Sequence, residues 1–600
     1  MKGFFFTGTA FGALLLSAGA YAQLAYTVSN GSDPGKLRVQ LTFKANSELT
    51  KVQMPNWAPG SYRVSEGWKR IENFNAMIGG AKIEMGKTEE GTLPKIVTWT
   101  VATKKGQVIT FNYEVPTQFS NGVGHYSGPA TYLYPVGRTQ EPCTLNFAFA
   151  KPTPIAIGID PVKQDLQYKI DTYDHLADNP VTFGDFAVDT YTEFGKPHFI
   201  VYRGPASAIA EVDREYVKKA CAFVTKMEGD FFGGGVPYSR YVWHFAVNSA
   251  PDGAGGLEHL SSTEISMGSG VGPGVVGVYA HEFFHLWNVK RIRSKPLGPF
   301  DYTVLPQTGA LWWLEGVTDY YAHTLLGRYG WFGKNERQAN PIEKMYAILV
   351  QNVNAVRARQ DRMNVSPYDS SFRVKEAANG VGNSQGYLVS YYDTGWLCGL
   401  CLDIEILSQS KGKYSLDNVE RALFEECKND KPGFEEGEIR NLLVKFGGTA
   451  TGDLYDQIIM KPGELPVEAQ LAKIGMDMKD VEEPYGKAPF IMSPSPDEKA
   501  MKVASSDIDG IKLGDLIVKV NNITFDSDQA RSLNAAYRNL TRNNKAGDKW
   551  TVTVKNAEGT KTVDVELVAA TRKSRKVVEQ SGATDEQKKL RKLFESKTRK

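Results

Sequence analysis

Cysteine is scarce in this chain of 600 residues, and what there is provides no framework of cross-links. An odd number of cysteines is scattered along the sequence, so a disulfide-stapled fold is excluded even for an oxidising compartment. Two of them have the spacing of a redox pair, but they lie in an apolar run that is typical of a helix interior, where we expect buried, unreactive thiols. The five are Cys143, Cys221, Cys398, Cys401 and Cys427.

A surplus of charge of either sign is also lacking. Seventy Lys and Arg residues against 68 Asp and Glu residues leave a formal net charge of +2. Such a balance gives no field that would attract a nucleic acid, and we exclude that class of partner. The one strongly basic stretch is 571–600, with eleven basic and four acidic residues. We interpret it as a basic tail, either solvated or a frayed helix.

Long hydrophobic runs are missing except at the N-terminus. There Lys2 precedes an apolar stretch from Phe4 to Leu16, and Ala20-Tyr-Ala22 forms a small-x-small cleavage pattern. This is typical of a secretory signal, because the stretch is shorter than the roughly 20 apolar residues that a spanning helix needs. We therefore predict a signal peptide at 1–22 and an exported protein, periplasmic or secreted, without stable membrane insertion.

Alternating apolar and polar residues dominate the next part of the chain. Leu37–Phe43 and Val108–Val115 are examples, and Gly, Pro and Asn turns separate such segments. The pattern predicts an antiparallel β domain over 23–175. From about 205 to 480 helical signals dominate, with a strand candidate at Tyr241–Val247, so we predict a mixed, mainly helical domain over 176–480.

The last part of the chain predicts a small separate module. A polar, proline-containing stretch at Glu482–Gly486 is interpreted as a linker. Beyond it, Thr551–Val554 and Thr562–Leu567 form a hairpin-like pair inside a module at 487–570. The fold class predicted from the whole sequence is therefore multidomain α+β.

The chemistry begins at an H-E-x-x-H motif, His281-Glu-Phe-Phe-His285. On a helix, residues four apart lie on one face, so both imidazoles can address one metal ion. Glu282 then lies beside them without being a ligand, placed to take a proton from water. The alternative is a pair of surface histidines on an ordinary helix.

Two acidic residues further along the chain can complete the metal site that the H-E-x-x-H motif begins. A catalytic zinc requires a third protein ligand, and Glu315 stands at the start of a probable second helix. Asp319, one turn further on the same face, can accept the remaining ring proton of a ligating histidine. We predict one zinc per chain, held by His281, His285 and Glu315; the alternative for Glu315 is a helix-capping carboxylate.

These motifs resemble a known family. Glu315-x-x-x-Asp319 after H-E-x-x-H resembles the gluzincin metallopeptidases, and the fuller strings His281–Arg293 and Leu311–Tyr321 resemble the glycyl aminopeptidase family. Met54–Tyr62 is similar to that family's N-terminal β domain. The resemblance implies a thermolysin-like catalytic domain, one zinc, and release of N-terminal Gly or Ala from peptides with a free amine.

The terminal module has a resemblance of its own. Gly510–Asn521 resembles a PDZ domain through its Gly-Asp turn before a strand. The upstream carboxylate-binding loop is not recognisable in Phe490–Val503, and the ligand of this PDZ-like domain is unknown. The alternative is a purely structural domain.

A substrate amine needs a negative partner, and Gly255-Gly-Leu-Glu258 resembles the Gly-x-Met-Glu-Asn motif that gluzincin aminopeptidases carry on an edge strand. The resemblance implies that Glu258 pairs with the ammonium while the backbone at Gly255 and Gly256 aligns the peptide by β-addition. Leu257 replaces Met and His259 replaces Asn. The alternative is an exposed loop glutamate.

The oxyanion donor comes from a similar comparison. Ser390-Tyr-Tyr-Asp-Thr-Gly395 resembles the Tyr-Glu-Lys-Gly segment of aminopeptidases, which aligns Tyr392 with the tyrosine that stabilises the oxyanion. Tyr391 is the competitor, and a packing role is the alternative for either. The remaining histidines have no partner at metal spacing, so we expect core or surface positions for His125, His175, His198, His244 and His323.

The sequence as a whole thus indicates a zinc aminopeptidase in which Glu282 is the general base. A zinc endopeptidase with the same centre stays open, since only Glu258 and the substrate ends distinguish the two. An inactive peptide-binding or scaffold relative is the third possibility. Such a relative is expected to lose a ligand or the base, whereas His281, Glu282, His285 and Glu315 are all present.

Overall fold

The computed structural model describes residues 24–61, 63–162, 167–248, 254–268, 275–331, 340–372, 390–428, 433–541 and 544–597. The signal peptide predicted at 1–22 lies outside them. Two compact units form the chain: unit 1 comprises 1–249, 253–475 and 581–600, and unit 2 comprises 250–252 and 476–580. In the described ranges, no helix combines the length and apolarity that a membrane crossing requires.

Unit 1 begins with the predicted β domain, whose described strands pair antiparallel except for one parallel pair, Leu24–Val28 with Cys143–Phe147. In β2 the apolar residues Leu37, Val39, Leu41 and Phe43 are buried and the polar ones between them point outward, as alternation requires. The strands are β1 (Leu24–Asn30), β2 (Lys36–Lys44), β3 (Leu49–Gln53), β4 (Glu72–Ile78), β5 (Ala81–Ile83), β6 (Gly86–Glu90), β7 (Ile96–Ala102), β8 (Val108–Pro116), β9 (Gln118–Ser120), β10 (Val123–Tyr126), β11 (Tyr134–Pro135), β12 (Cys143–Phe147), β13 (Ile155–Ala156), β14 (Gln167–Ile170) and β15 (Val181–Gly184).

Three sheets make up this domain in the described ranges. Their strand orders are β14-β12-β1-β2-β8-β4-β5, β11-β3-β7-β6 and β13-β15-β10-β9. A short helix, α1 (Tyr173–Ala177), precedes β15. Because β15 pairs with β10 and β13, the third sheet continues past residue 175, the predicted end of the domain.

The second part of unit 1 is mixed and mainly helical, as predicted. Its sheet has the order β16-β17-β18-β20-β19, with β17, β18 and β20 parallel and β19 antiparallel at the edge. The strand candidate at Tyr241–Val247 is confirmed as β18. The strands are β16 (Ala187–Glu193), β17 (Lys196–Arg203), β18 (Tyr241–Asn248), β19 (Ala254–Glu258) and β20 (Ser262–Gly268).

Helices cover this sheet and continue the chain beyond it. They are α2 (Ala206–Glu211), α3 (Arg214–Phe231), α4 (Val276–Phe284), α5 (Thr318–Arg328), α6 (Pro341–Arg357), α7 (Pro367–Phe372), α8 (Tyr391–Gln409), α9 (Leu416–Cys427), α10 (Glu436–Gly447), α11 (Thr449–Ile458) and α12 (Val467–Lys473). A π-helical turn, Trp312–Val317, leads into α5, and short 3₁₀ turns cover Gly67–Arg70 and Lys295–Leu297.

The central helix α8 explains the paired cysteines. It is buried on every side from Thr394 to Leu407, as a helix that is apolar all round must be. Cys398 and Cys401 lie inside it as buried free thiols. Burial raises the pKa of the Cys398 thiol, so the interpretation as unreactive core residues is confirmed.

Unit 2 contains the predicted module and a two-stranded ribbon. The ribbon pairs β21 (Met476–Lys487) with β28 (Val568–Glu579). The hairpin-like pair is confirmed as β26 and β27, and the PDZ-like identity stays a prediction. The other elements are β22 (Phe490–Ser495), β23 (Ala500–Ser506), β24 (Leu516–Val520), β25 (Ile523–Thr524), α13 (Ala530–Thr541), β26 (Lys549–Asn556) and β27 (Gly559–Glu566), with a 3₁₀ turn at Pro496–Glu498.

The linker predicted at Glu482–Gly486 is wrong, because these residues form part of β21. Charged side chains on the two strands of the ribbon attract each other, and Arg575 reaches Asp480 at 2.9 Å. Pro484 is tolerated because each strand of a two-stranded ribbon has an unpaired edge. Polarity and a proline indicated a linker, but both also suit a solvated ribbon.

The basic tail predicted at 571–600 is also wrong over the described part, to residue 597. Its first residues belong to β28, and α14 (Asp585–Phe594) returns to unit 1. Leu590 and Phe594, four positions apart, are buried on one face of α14, while its basic residues face outward. Arg328 donates to the Ser596 carbonyl at 2.8 Å, which secures the segment beyond the helix.

Candidate active site

The H-E-x-x-H motif lies on a helix, as predicted. Its residues close α4, where the apolar residues pack into the core, and His285 is the C-cap. The Nδ1 atom of His285 donates to the Asn288 carbonyl at 2.7 Å. Asn288 also donates its side-chain amide to the Trp313 carbonyl at 3.1 Å, which links the end of α4 to the segment that carries Glu315. The hydrogen bond fixes the tautomer of His285 and leaves its Nε2 lone pair free to bind a metal.

The three predicted zinc ligands converge. The Nε2 atoms of His281 and His285 lie 2.9 Å apart, and Glu315 Oε2 lies 3.4 Å and 3.3 Å from them, respectively. A tetrahedral zinc with bonds of about 2.0–2.1 Å separates its ligand atoms by about 3.3 Å, so this triangle has the size of one tetrahedral face. Two imidazoles and one carboxylate are also a donor set that zinc accepts. The residues present therefore fit the metal.

Glu315 reaches this point from the π-helical turn rather than from a regular helix. Such turns concentrate at functional sites, because the extra residue per turn redirects a side chain. The predicted partner Asp319 lies on α5, and its Oδ1 is 2.9 Å from His281 Nδ1. Asp319 thus accepts the second ring proton of His281 and orients its Nε2 toward the other two ligand atoms.

Burial and neighbouring charges set the protonation of the site. Burial raises the pKa of Glu282 to about 7, even though His281 and His285 act in the opposite direction. A base with a pKa near neutrality is suited to receive and return a proton. Burial alone would raise the pKa of Glu315 too, but the two imidazoles hold it below its usual range.

The edge strand β19 runs directly past the predicted base. A Cβ placed on Gly256 would lie 2.3 Å from the Glu282 side chain, so this backbone can approach only as glycine. Gly255 and Gly256 are exposed, and among the strands that the structure describes β19 pairs with β20 alone. The other edge therefore offers unpaired backbone groups to an extended peptide.

Glu258 ends that strand next to the metal ligands. It is 4% exposed, so the alternative of an exposed loop glutamate is wrong. Its carboxylate, one oxygen of Glu282 and one nitrogen of His285 all lie within 4.8 Å of one another. Lys290 approaches Glu258 Oε1 at 3.8 Å, which is longer than a hydrogen bond.

Both candidate tyrosines reach the site at the start of α8. The Ser390 side chain caps the helix by accepting the Tyr392 N–H at 3.2 Å. The Tyr392 ring lies 6.0 Å from the His281 ring. Burial, and the nearby Glu315 carboxylate, raise the pKa of Tyr391. The choice between the two hydroxyls stays a prediction.

Sequence reasoning did not assign the residues that bring these elements so close. A Cβ on Gly316 would lie 2.5 Å from the Gly395 Cα, so two glycines let α8 pack directly on the turn that carries Glu315. The glycine directly after Glu315 was the available signal. Asp178 and Lys290 were also missed; their ion pair, at 2.7 Å, joins residues 112 positions apart and has no local signature.

Two of the other histidines have structural roles and do not belong to the candidate site. Thr182 lies between His125 Nδ1 and His244 Nδ1, at 2.9 Å and 2.8 Å, in the buried interior. Burial lowers the pKa of both imidazoles. The expectation of core positions is confirmed for His125 and His244.

Two regions of the chain match models of known protein families. The model of the M61 glycyl aminopeptidase family matches residues 274–398, and that of the peptidase M61 N-terminal domain matches 25–185. Among curated proteins, none matches the chain.

Several solved structures are similar. An aminopeptidase N family protein from Idiomarina loihiensis is 20% identical with a TM-score of 0.70, covering 94% of this chain and 99% of its own. Leukotriene A4 hydrolase from Saccharomyces cerevisiae is 13% identical (TM-score 0.44, 76% and 70% covered). An M1 zinc metallopeptidase from Deinococcus radiodurans bound to a Tyr-Ser-Ala substrate is 12% identical (TM-score 0.43, 74% and 94%).

The first of these structures shows that the fold is shared over nearly the whole of both chains. The family matches cover the β domain and the region from α4 to the start of α8, which carries the candidate ligands, the base and both tyrosines. The resemblance found in the sequence is thereby confirmed: residues 25–185 and 274–398 match the models of the M61 glycyl aminopeptidase family, and these matches identify the chain as similar to a family of peptidases.

Proposed function

We propose that this peptidase is a zinc-dependent aminopeptidase that removes small residues, Gly or Ala, from peptides with a free N-terminus. The observation that carries the proposal is the position of the Glu258 carboxylate, within 4.8 Å of both Glu282 and His285 and beside an open strand edge. The match of residues 274–398 to the model described as M61 glycyl aminopeptidase points the same way.

The geometry supports an exopeptidase because the distance from the Glu258 carboxylate to Glu282 and His285 is short. In a peptide the amino nitrogen and the first carbonyl carbon are about 2.5 Å apart, across two covalent bonds. With its ammonium paired to Glu258, a substrate places only its first carbonyl next to Glu282 and His285. A carbonyl further along the chain does not reach them.

Zinc held by His281, His285 and Glu315 would supply Lewis-acid chemistry, polarising the carbonyl and making water more acidic. The residues of the chain do the rest. Glu282 takes a proton from the attacking water and returns it to the departing amine, work for which its raised pKa suits it. The β19 edge aligns the peptide, and Asp319 keeps His281 in one tautomer.

Tyr392 is proposed as the donor to the oxyanion that develops on the carbonyl. Its place at the start of α8, next to the His281 ring, supports this role. Tyr391 is the competing donor, since its hydroxyl interacts with the Glu315 carboxylate.

The preference for small first residues is supported by the surroundings of Glu258. The cavity there has a volume of about 10 Å³, roughly the space of one water molecule. Together with Glu258 and Lys290, its walls are Trp57, Pro59, Gly60, Val289, Leu297 and Phe300. A large side chain does not fit into this cavity.

Three further proposals rest on sequence. Export to the periplasm or the exterior follows from the signal-like residues 1–22. A PDZ-like role for 487–570, and a thermolysin-like description of 176–480, follow from the resemblances quoted above.

The decisive experiment compares paired substrates. The purified protein is assayed on aminoacyl reporters and on peptides with a free or an acetylated N-terminus, with and without a chelator. We expect cleavage of Gly and Ala reporters, discrimination against the acetylated peptides, and loss of activity with the chelator. Equal cleavage of free and acetylated peptides would indicate the endopeptidase. Inactivity of the zinc-loaded protein on every substrate would indicate the peptide-binding relative.

A further inference from the structure

Asp178 is a β-domain residue directly after α1. It contacts the turn that follows Glu258 and also the lysine that faces the Glu258 carboxylate. It is 6% exposed, and its Oδ2 accepts the Leu260 N–H at 2.7 Å. Its Oδ1 accepts from Lys290 Nζ at 2.7 Å and lies 3.3 Å from His259 Nδ1. His259 and Leu260 immediately follow Glu258 in the chain. Asp178 therefore anchors the turn that carries Glu258 and the lysine that faces it.

The groups in this buried cluster are charged. Burial alone would raise the pKa of Asp178, but the Lys290 ammonium and His259 outweigh burial and hold it well below its usual range. Burial lowers the pKa of His259, yet the nearby carboxylates of Asp178, at 3.3 Å, and Glu264, at 3.5 Å, outweigh that effect and raise the pKa to about 9. At neutral pH, Asp178 is an anion flanked by two cations.

Lys290 has two carboxylates within reach and is closer to one. Its Nζ is 2.7 Å from Asp178 and 3.8 Å from Glu258. In a buried site, a shift of about 1 Å is enough to change which carboxylate the ammonium neutralises. If Lys290 were to pair with Glu258, it would occupy the charge that a substrate amine needs.

We propose that Asp178 is a positioning residue for amine recognition, which holds Lys290 away from Glu258 and so keeps that carboxylate available to the substrate ammonium. This inference rests on the proposed aminopeptidase function. It makes the β domain a part of the amine site rather than a neighbour of it.

A second contact from the β domain supports this conclusion. Gly60 has a φ of +86°, and a Cβ placed on it would lie 2.7 Å from either oxygen of Glu258. The backbone of the β domain thus lies against the carboxylate itself. Between Gly60 and the turn anchored by Asp178, Glu258 has little freedom to move.

The test uses the zinc-loaded, full-length protein with the variant Asp178→Asn. An asparagine can still accept the Leu260 N–H but no longer holds the Lys290 ammonium. We expect KM for a glycyl reporter to rise by about tenfold or more, with kcat within about threefold of wild type, because the loss affects binding of the amine. Zinc content should stay the same.

The double variant Asp178→Asn/Lys290→Met is the critical comparison. It removes one negative and one positive charge, so the net charge around Glu258 is preserved. We expect KM to return to within about threefold of wild type, because Lys290 then no longer competes for Glu258. If Asp178→Asn does not fold, the double variant alone still tests the proposal. A KM in the double variant about tenfold higher than that of wild type overturns it.

A matched control separates positioning from stability. Asp417 on α9 forms a buried ion pair at 2.8 Å with Arg328, at the end of α5 opposite to Asp319, and Asp417→Asn breaks a pair of the same kind. It should lower Tm without changing KM. An unchanged KM in Asp178→Asn, or no recovery in the double variant, overturns the inference alone. Wild-type protein that fails to discriminate against acetylated peptides overturns the proposed function instead.

Discussion

The candidate metal centre and the proposed amine site lie side by side but are built in opposite ways. The ligands, the base and Asp319 fall within 281–319, on α4, the π-helical turn and α5. Glu258, in contrast, is held by Asp178, whose bond to Leu260 spans 82 positions, and by Gly60. Helix periodicity therefore determines most of the first site, whereas the packing of a separate β domain determines the second.

The two sites also differ in how their charges are balanced. At the metal centre, donor atoms converge on one point, and the triangle of about 3 Å is ready for a cation. At the amine site, Lys290 already neutralises Asp178, so a single carboxylate remains for the substrate. We therefore expect substitutions at the first site to affect the chemical step or the metal, and those at the second to affect binding of the amine.

The largest effect is expected from Glu282→Gln. The amide cannot take the proton, so kcat should fall by a factor of about 10²–10⁴, while the isosteric side chain leaves zinc bound. Steady-state kinetics and metal analysis of the same preparation check this. Near-normal kcat in a fully loaded variant would remove Glu282 from the mechanism.

A somewhat smaller effect is expected from Tyr392→Phe. Losing one oxyanion donor costs about 10²–10³ in kcat, with little change in KM, because the hydroxyl acts on charge that develops during the reaction. Tyr391→Phe, on the adjacent position of the same helix, is the control. If only the control loses kcat, Tyr391 is the donor.

Glu258→Ala should weaken only the binding of the substrate amine. Truncating one partner of a buried charge pair costs at least about 2–3 kcal/mol, or about 30- to 150-fold in kcat/KM on free-amine peptides. The variant should also lose most of the wild-type discrimination against acetylated peptides. Retained discrimination would mean that another group binds the amine.

The smallest effect is expected from Asp319→Asn. Changing the partner of a ligating histidine weakens metal binding by about 10- to 100-fold, which competition with a chelator measures. Asp403→Asn is a suitable control, since Asp403 accepts a hydrogen bond from Tyr320 at 2.6 Å in the same helical region. An affinity equal to that of the control variant would show that Asp319 does not tune His281.

What could be predicted from the sequence follows the same division. Short-range periodicity identified the strands of the β domain, the helix of His281 and His285, and the buried thiols of Cys398 and Cys401. It could not show that Glu315 sits on a π-helical turn, because one extra residue per turn leaves no mark in the pattern.

Contacts across long sequence separations escaped prediction. Glu482–Gly486 and 571–579 each look polar and solvated alone, and only their pairing makes them a ribbon. Asp178 and Lys290 look like ordinary surface charges until the fold buries them together. Resemblance to a family supplied Glu258, but the groups that hold it in place came from the structure.

The return of α14 to unit 1 has a consequence for the order of events during synthesis. Residues 476–580 leave the ribosome before 581–597 do, so nearly all of unit 2 is available to fold while unit 1 still lacks a helix. Until that helix arrives, the surface around Tyr346, which stacks on Phe594, stays uncovered. Unit 1, which carries the candidate active site, thus becomes complete later than the unit that interrupts it.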